Sequence, residues 1–227
     1  MEKPRTRTSL PHGYVESDLD RHPVLCQAPP RRRRPKPRTR RPAEVLTDAE
    51  VRALLAACGE DAVGVRHRAL LVMMYRAGLR ISEALALRPH DVDLGAGTVR
   101  VRFAKGGRDR VVGLDPGAGA VVAAWAERRT ALLVPAGSPL FCSRSGKALT
   151  TAYIRRLLPI LGKTAGIAKR VHAHGLRHTH AAQLRAEGVD IGIISRQLGH
   201  RSILTTIRYL DHINPVAVVE AMRGRVW

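Results

Sequence analysis

The run Thr98-Val99-Arg100-Val101-Arg102-Phe103 alternates polar and apolar side chains and is rich in β-branched residues, the two-residue rhythm of a half-buried strand. Lys105-Gly106-Gly107-Arg108-Asp109 follows with the composition of a turn, and Arg110-Val111-Val112-Gly113-Leu114 reads as the strand that returns. Around this hairpin the patterns are helical. Thr47-Asp48-Ala49-Glu50 has capping-box spacing and opens a helix with Val51, Leu54, Leu55 and Cys58 on one face. Gly59 stands just past its end. A second helix is expected over about 65–76, carrying Leu70, Leu71, Met73 and Met74. Gly78 breaks it, a short third helix follows over 81–87, and 89–97 reads as loop. Further helices are expected near 116–133, 150–165, 175–187, 190–198, 203–210 and 215–223. The fold class is therefore α+β, mostly helical, with one small antiparallel sheet and no internal repeat.

Residues 1–42 stand apart. They hold eight of the fourteen prolines and carry twelve basic against four acidic residues. The run from Arg31 to Arg38 cannot bury itself and cannot form a regular helix. It reads as a disordered tail, a linker or leader, or an arm that binds DNA electrostatically; the readings are compatible. The folded part is expected to begin at residue 43 and run to 227.

The charge narrows the partners. With 39 Lys and Arg against 19 Asp and Glu the chain carries +20, which implies a polyanion. On charge alone that is nucleic acid or an anionic membrane surface. No stretch approaches 18 consecutive apolar residues, and the N-terminus lacks the apolar core of a signal peptide. The expected location is the cytoplasm, associated with the nucleoid. The three cysteines, Cys26, Cys58 and Cys142, show no ligand spacing and read as free thiols.

The C-terminal third carries the chemistry. His172-Ala173-His174-Gly175-Leu176-Arg177-His178-Thr179-His180 places four histidines and an arginine in nine residues. Further on, Leu198-Gly199-His200 leads through Thr205 and Thr206 to Tyr209. The histidines admit three readings: metal ligands, ordinary surface or core residues, or a phosphate-handling site. No cysteine or paired carboxylate joins them as metal ligands would require, and no Walker loop, EF-hand or acidic cluster offers a magnesium site. Phosphodiester cleavage with no bound cofactor would need Arg, Lys and His donors against the growing charge, a hydroxyl nucleophile and a general acid. Candidates for each are present, but composition alone does not choose among so many arginines.

Four segments together resemble the tyrosine recombinases of the phage integrase family. Ala77-Gly78-Leu79-Arg80-Ile81-Ser82-Glu83-Ala84-Leu85 is similar to their first motif and His174-Gly175-Leu176-Arg177-His178-Thr179 to their second. Leu198-Gly199-His200 with Thr205, Thr206 and Tyr209 is similar to the third, and Lys105 sits where the family has its hairpin lysine. The motifs keep the family's order and separations over roughly residues 43–225. The resemblance implies an integrase-type catalytic domain that breaks and rejoins DNA through a 3′-phosphotyrosine, with neither metal nor ATP. It implies that Tyr209 is the nucleophile, that Arg80 and Arg177 clamp the phosphate, and that Lys105 is the general acid. His174 would deprotonate the tyrosine or bond the phosphate, His200 would add a phosphate hydrogen bond, and Glu83 would orient an active-site base. Arg108 and Arg110 are expected on the DNA backbone, and His178 and His180 are expected to be structural or solvent-facing. A free tyrosine has a pKa of about 10, and the two arginines plus a nearby basic group are expected to favour its phenolate.

The partners so implied are double-stranded DNA and further copies of the chain, in a tetrameric synapse on DNA joined through residues 215–223. Most family members carry an N-terminal helical domain that clamps the far side of the DNA; here the tail stands before the catalytic part. A short recombinase of the fimbrial-inversion type and a truncated gene are both open. Two rivals share the residues: a type IB topoisomerase-like nicking and closing enzyme, and a non-catalytic DNA-binding remnant. Gly113 stands where the family often has proline. The DNA site itself is not legible, because base readout depends on which side chains reach the grooves.

Overall fold

Thr47 begins the first helix as its spacing predicts. Its hydroxyl accepts from the Glu50 N–H at 3.2 Å, and the Glu50 carboxylate accepts from the Thr47 N–H at 2.7 Å. Two amides that would otherwise lack partners at the start of α1 (Asp48–Ala56) are thereby satisfied. The computed structural model describes residues 44–102, 109–200, 202–213 and 222–223. The basic tail, the hairpin turn with Lys105 and Arg108, and residues 214–221 of the expected last helix lie outside the described residues.

Asp61 caps α2 (Ala62–Tyr75) by accepting from the Gly64 N–H at 2.8 Å, so this helix starts a few residues before the apolar pattern suggests. Its continuous run Ala69-Leu70-Leu71-Val72-Met73-Met74 is wholly buried. A helix apolar on every side belongs inside, and α2 packs against α3 (Ile81–Ala86), α4 (Pro116–Ala131) and α6 (Ala173–Ala186). Trp125 of α4 closes the main core and donates its indole N–H to the Leu140 carbonyl at 2.8 Å.

The alternating segments form the expected hairpin. β2 (Thr98–Val101) and β3 (Arg110–Gly113) are antiparallel, with Val99 opposite Val112 and Arg100 opposite Val111. Val99, Val101 and Val112 point into the core. The stretch expected as loop departs from that expectation: Pro89–Asp91 makes one 3₁₀ turn and Val92–Asp93 adds a short edge strand, β1, beside β2. The reason is non-local. Asp91 is buried, accepts from the Arg88 N–H at 2.9 Å, and pairs with Arg102 from beyond β2 at 2.7 Å.

Helices α5 (Thr151–Thr164), α6, α7 (Ile191–Leu198) and α8 (Ile203–Ile213) complete the order. Ala181, Ile194, Leu198 and Leu210 from α6, α7 and α8 build a second, small core, against which Tyr209 packs. Gln197 of α7 ties this group to the sheet. Its carboxamide accepts from the Gly113 N–H and donates to the Gly113 carbonyl, both at 2.9 Å. A proline at 113 would lack the N–H for this bond. No helix among the described residues is long and apolar enough to cross a membrane.

Candidate active site

Arg177 is the buried centre of the site, with 1% of its surface exposed. It projects from α6 and donates to the carbonyls of Gly78 and Leu198 and to the Nε2 of His200. Three of its five N–H groups are thus spent on the protein, and those bonds fix the plane of the guanidinium. Burial, then the nearby Arg80, lowers its pKa to about 10, still cationic at neutrality. Gly78 is placed for this contact by a left-handed backbone (φ +63°), where a Cβ would come within 2.7 Å of the His180 ring.

Arg80 and Glu83 come from the start of α3. The Glu83 carboxylate accepts from the Arg80 backbone N–H and from its guanidinium, each at 2.8 Å. From β3, Arg110 grips the same carboxylate with both terminal nitrogens, at 3.0 and 2.9 Å. Burial works against the ionised carboxylate, but the bonds and charges of Arg110 and Arg80 outweigh it and hold the pKa at about 2. The hydrogen bonds of Glu83 among the described residues thus go to two arginines. Arg80 keeps a 41% exposed side chain and can meet a phosphate from solvent, whereas Arg110 is only 12% exposed and faces inward. The group carries a surplus of positive charge, three arginines against one carboxylate.

Gly199 makes room for this clasp. It ends α7 with a left-handed φ of +64°, and a Cβ there would lie 2.6 Å from the Arg110 Nε. Gly199→Ala is expected to lose stability by about 1–2 kcal/mol from the backbone conformation alone. It should also displace Arg110 from Glu83. Urea unfolding of the two proteins checks the first, and a stability unchanged from that of the natural chain would contradict it.

His200 follows directly. Arg177 can only donate, so the His200 Nε2 accepts, and the proton resides on Nδ1, which donates to the Thr206 hydroxyl at 2.8 Å. Burial, then Arg177, Arg80 and Arg110, hold the imidazole down at about 4. It is neutral at pH 7 and braces Arg177. The phosphate hydrogen bond that the resemblance implies for His200 requires that Nε2 to change partner or gain a proton. His174 is likewise lowered, by burial and then by Arg177, His172 and Arg80. A neutral His174 is able to accept a proton.

Tyr209, in α8, sits among the rings of His174, His178 and His200, with centroids 5.9, 4.4 and 5.5 Å away. Its hydroxyl is buried and makes no hydrogen bond among the described residues. Burial raises the phenol pKa, and Arg177 and Arg80 pull it down without cancelling that rise. Arg177 and Arg80 thus favour the phenolate as expected, but burial of the anion outweighs them, and the hydroxyl stays protonated in the DNA-free chain.

The structure therefore brings Arg80, Glu83, Arg177, His174, His200 and Tyr209 together, while Lys105 and Arg108 lie outside the described residues. Arg110, expected on the DNA backbone, is drawn into the site by Glu83. His178 and His180 are both buried, and His178 is against the tyrosine. Thr206 belongs to the third motif, but the resemblance assigns it no role; its place three residues before Tyr209 puts it on the same helix face, bonded to His200. No group of three His, Cys, Asp or Glu side chains among the described residues is arranged to hold a metal ion.

Comparison with known proteins extends this picture. The phage integrase family profile matches residues 44–214. Tyrosine recombinase XerD of Bifidobacterium longum is 33% identical over 220 residues, covering 92% of this chain and 70% of that protein. The type 1 fimbriae regulatory protein FimE of Escherichia coli K12 is 34% identical over 165 residues, covering 72% of this chain and 83% of FimE. Among solved structures, XerA recombinase superposes with a TM-score of 0.72 at 31% identity, covering 81% of this chain and 66% of that one. The chain spans between 52% and 70% of the length of the first XerC and XerD proteins it matches.

Proposed function

Because this chain belongs to the phage integrase family, we propose that it is a site-specific DNA recombinase that cleaves and rejoins strands through a 3′-phosphotyrosine at Tyr209. The observation that carries this reading is the buried Tyr209 hydroxyl, without a hydrogen-bond partner among the described residues, among the rings of three histidines and beside Arg177. In this scheme the Tyr209 oxygen attacks the scissile phosphorus and its proton passes to His174. The bond from phosphorus to the 5′-oxygen breaks, and Lys105 supplies a proton to that oxygen. Arg80 and the two remaining N–H groups of Arg177 meet the non-bridging oxygens, where charge develops. A phosphodiester anion entering the site also offsets the surplus of positive charge and draws the tyrosine toward reaction. The phosphotyrosine retains the energy of the original linkage, so resealing needs no ATP.

The partner in this proposal is double-stranded DNA, consistent with the +20 charge. Residues 43–227 form the catalytic part, residues 1–42 serve as an electrostatic arm, and copies assemble as a tetramer on paired sites through the C-terminal segment. Since the DNA site is not readable from the chain, the test uses a pool of suicide duplexes, each nicked just past the scissile phosphate, with randomised flanking sequence. Cleavage releases the short 5′-hydroxyl fragment, resealing fails, and the covalent complex survives denaturing electrophoresis. Sequencing its DNA supplies a defined substrate, whereas absence of any covalent complex would favour a DNA-binding remnant.

On that substrate Lys105→Ala is expected to slow cleavage by about 10²–10⁴-fold, the contribution of a general acid. Replacing the 5′-bridging oxygen by sulfur should restore nearly the normal rate, because a thiolate leaves without being protonated. A variant that stays slow on the sulfur substrate would remove Lys105 from this role.

A further inference from the structure

We infer that His178 is a positioning residue for the nucleophile, its imidazole stacked face to face on the Tyr209 phenol and holding that ring in the arginine-lined site. The inference rests on the phosphotyrosine reading and adds a residue to it that neither the motif resemblance nor the clamp of arginines supplies.

The geometry is specific. The two ring centroids lie 4.4 Å apart with 18° between the planes. His174 lies beside this pair, its centroid 4.4 Å from that of His178 with 75° between the planes, and 5.9 Å from that of Tyr209. His174 and His200 touch Tyr209 only by T-shaped contacts. Among the described residues the phenol therefore has a single aromatic face to lie on, and His178 provides it. His178 is itself buried, so its ring is enclosed rather than free to swing into solvent.

Helical spacing explains how the ring gets there. His174, Arg177, His178 and Ala181 share one face of α6, and Ala181 belongs to the small core formed with α7 and α8. The same face thus presents a phosphate-clamping arginine and, one residue later, the surface under the nucleophile. The need for such a surface follows from the tyrosine. Its hydroxyl has no hydrogen bond among the described residues to anchor the tip of the side chain. The orientation of the ring is then set by its faces and edges. An attacking oxygen displaced by about 1 Å loses on the order of 100-fold in rate.

The test compares three full-length variants on the substrate recovered from the suicide pool, each checked for folding by thermal unfolding. His178→Phe keeps an aromatic face and removes the imidazole nitrogens. His178→Gln keeps polar atoms and removes the face. His178→Ala removes both. The expected order of adduct formation is natural chain and Phe close together, with Gln and Ala lower by between about 10- and 100-fold. DNA affinity in gel shift should be the same for all. NMR provides a readout that needs no DNA: the Tyr209 ring protons, identified by their loss in Tyr209→Phe, should be shifted upfield in the natural chain and in Phe, and should relax toward ordinary values in Gln and Ala. Gln cleaving faster than Phe, or Ala cleaving like the natural chain, would overturn the inference. If no protein forms an adduct while the NMR shifts follow the expected order, the recombinase reading has failed and the stack stands. Unshifted Tyr209 protons in the natural chain would remove the stack itself.

Discussion

Tyr209→Phe is expected to form no covalent complex with the suicide duplex and to bind the same DNA with nearly unchanged affinity. The change deletes one oxygen. That oxygen has no hydrogen bond among the described residues, so its removal leaves no partner stranded. The phenyl ring retains the stack on His178 and its place against Ala181, Ile194, Leu198 and Leu210. Stability should therefore stay within about 1 kcal/mol of the natural chain, in contrast to a truncation of the same ring, which would open a cavity. The loss of cleavage should be complete within detection, because two other hydroxyls near the site are engaged elsewhere. Thr206 is bonded to His200, and Thr179 donates to the Gly175 carbonyl. A residual adduct in this variant, on an intact fold, would mean that another side chain attacks.

Arg177→Lys is expected to lower cleavage by about 10²–10³-fold and to destabilise the fold at the same time. Arginine here performs two tasks that lysine cannot combine. It satisfies the carbonyls of Gly78 and Leu198 and braces His200 through one planar group, and it has two N–H groups left for a phosphate. A single ammonium can reach only some of these partners, and each buried carbonyl left unpaired costs about 1–3 kcal/mol. Charge is lost as well. Burial and neighbouring cations bring the arginine down to about 10, and the same surroundings would carry a lysine, ordinarily at about 10.4, toward neutrality. Single-turnover cleavage together with urea unfolding checks both effects. A lysine variant with natural cleavage and natural stability would contradict the central place given to Arg177.

Most of the fold was legible because its signals are local. The capping box at Thr47, the alternation at 98–101 and the breaks at Gly59 and Gly78 each depend on a few adjacent residues, and the structure follows them. The 3₁₀ turn and β1 were not legible, since they depend on Asp91 meeting Arg102 across β2. The site divides in the same way. Arg80, Arg177, His200 and Tyr209 stand in motifs that can be read along the chain. The commitment of Arg110 to Glu83 joins residues 27 apart in sequence, and nothing local distinguishes Arg110 from the many other basic residues. His178 did leave a trace, at the helical spacing of four from His174, but a stack on Tyr209 can be read only once α6 and α8 are packed together. The net state of Tyr209 was not legible for a physical reason: sequence shows neighbouring charges and does not show burial, which dominates here.

The most direct measurement is to locate the bond. The covalent complex formed by the natural chain is digested with trypsin and nuclease, and the modified peptide is sequenced by mass spectrometry. The account predicts a nucleotide joined through its 3′-phosphate to the peptide that contains Tyr209, and to no other peptide. A 5′-linked nucleotide, or a modification on any residue other than Tyr209, would contradict it.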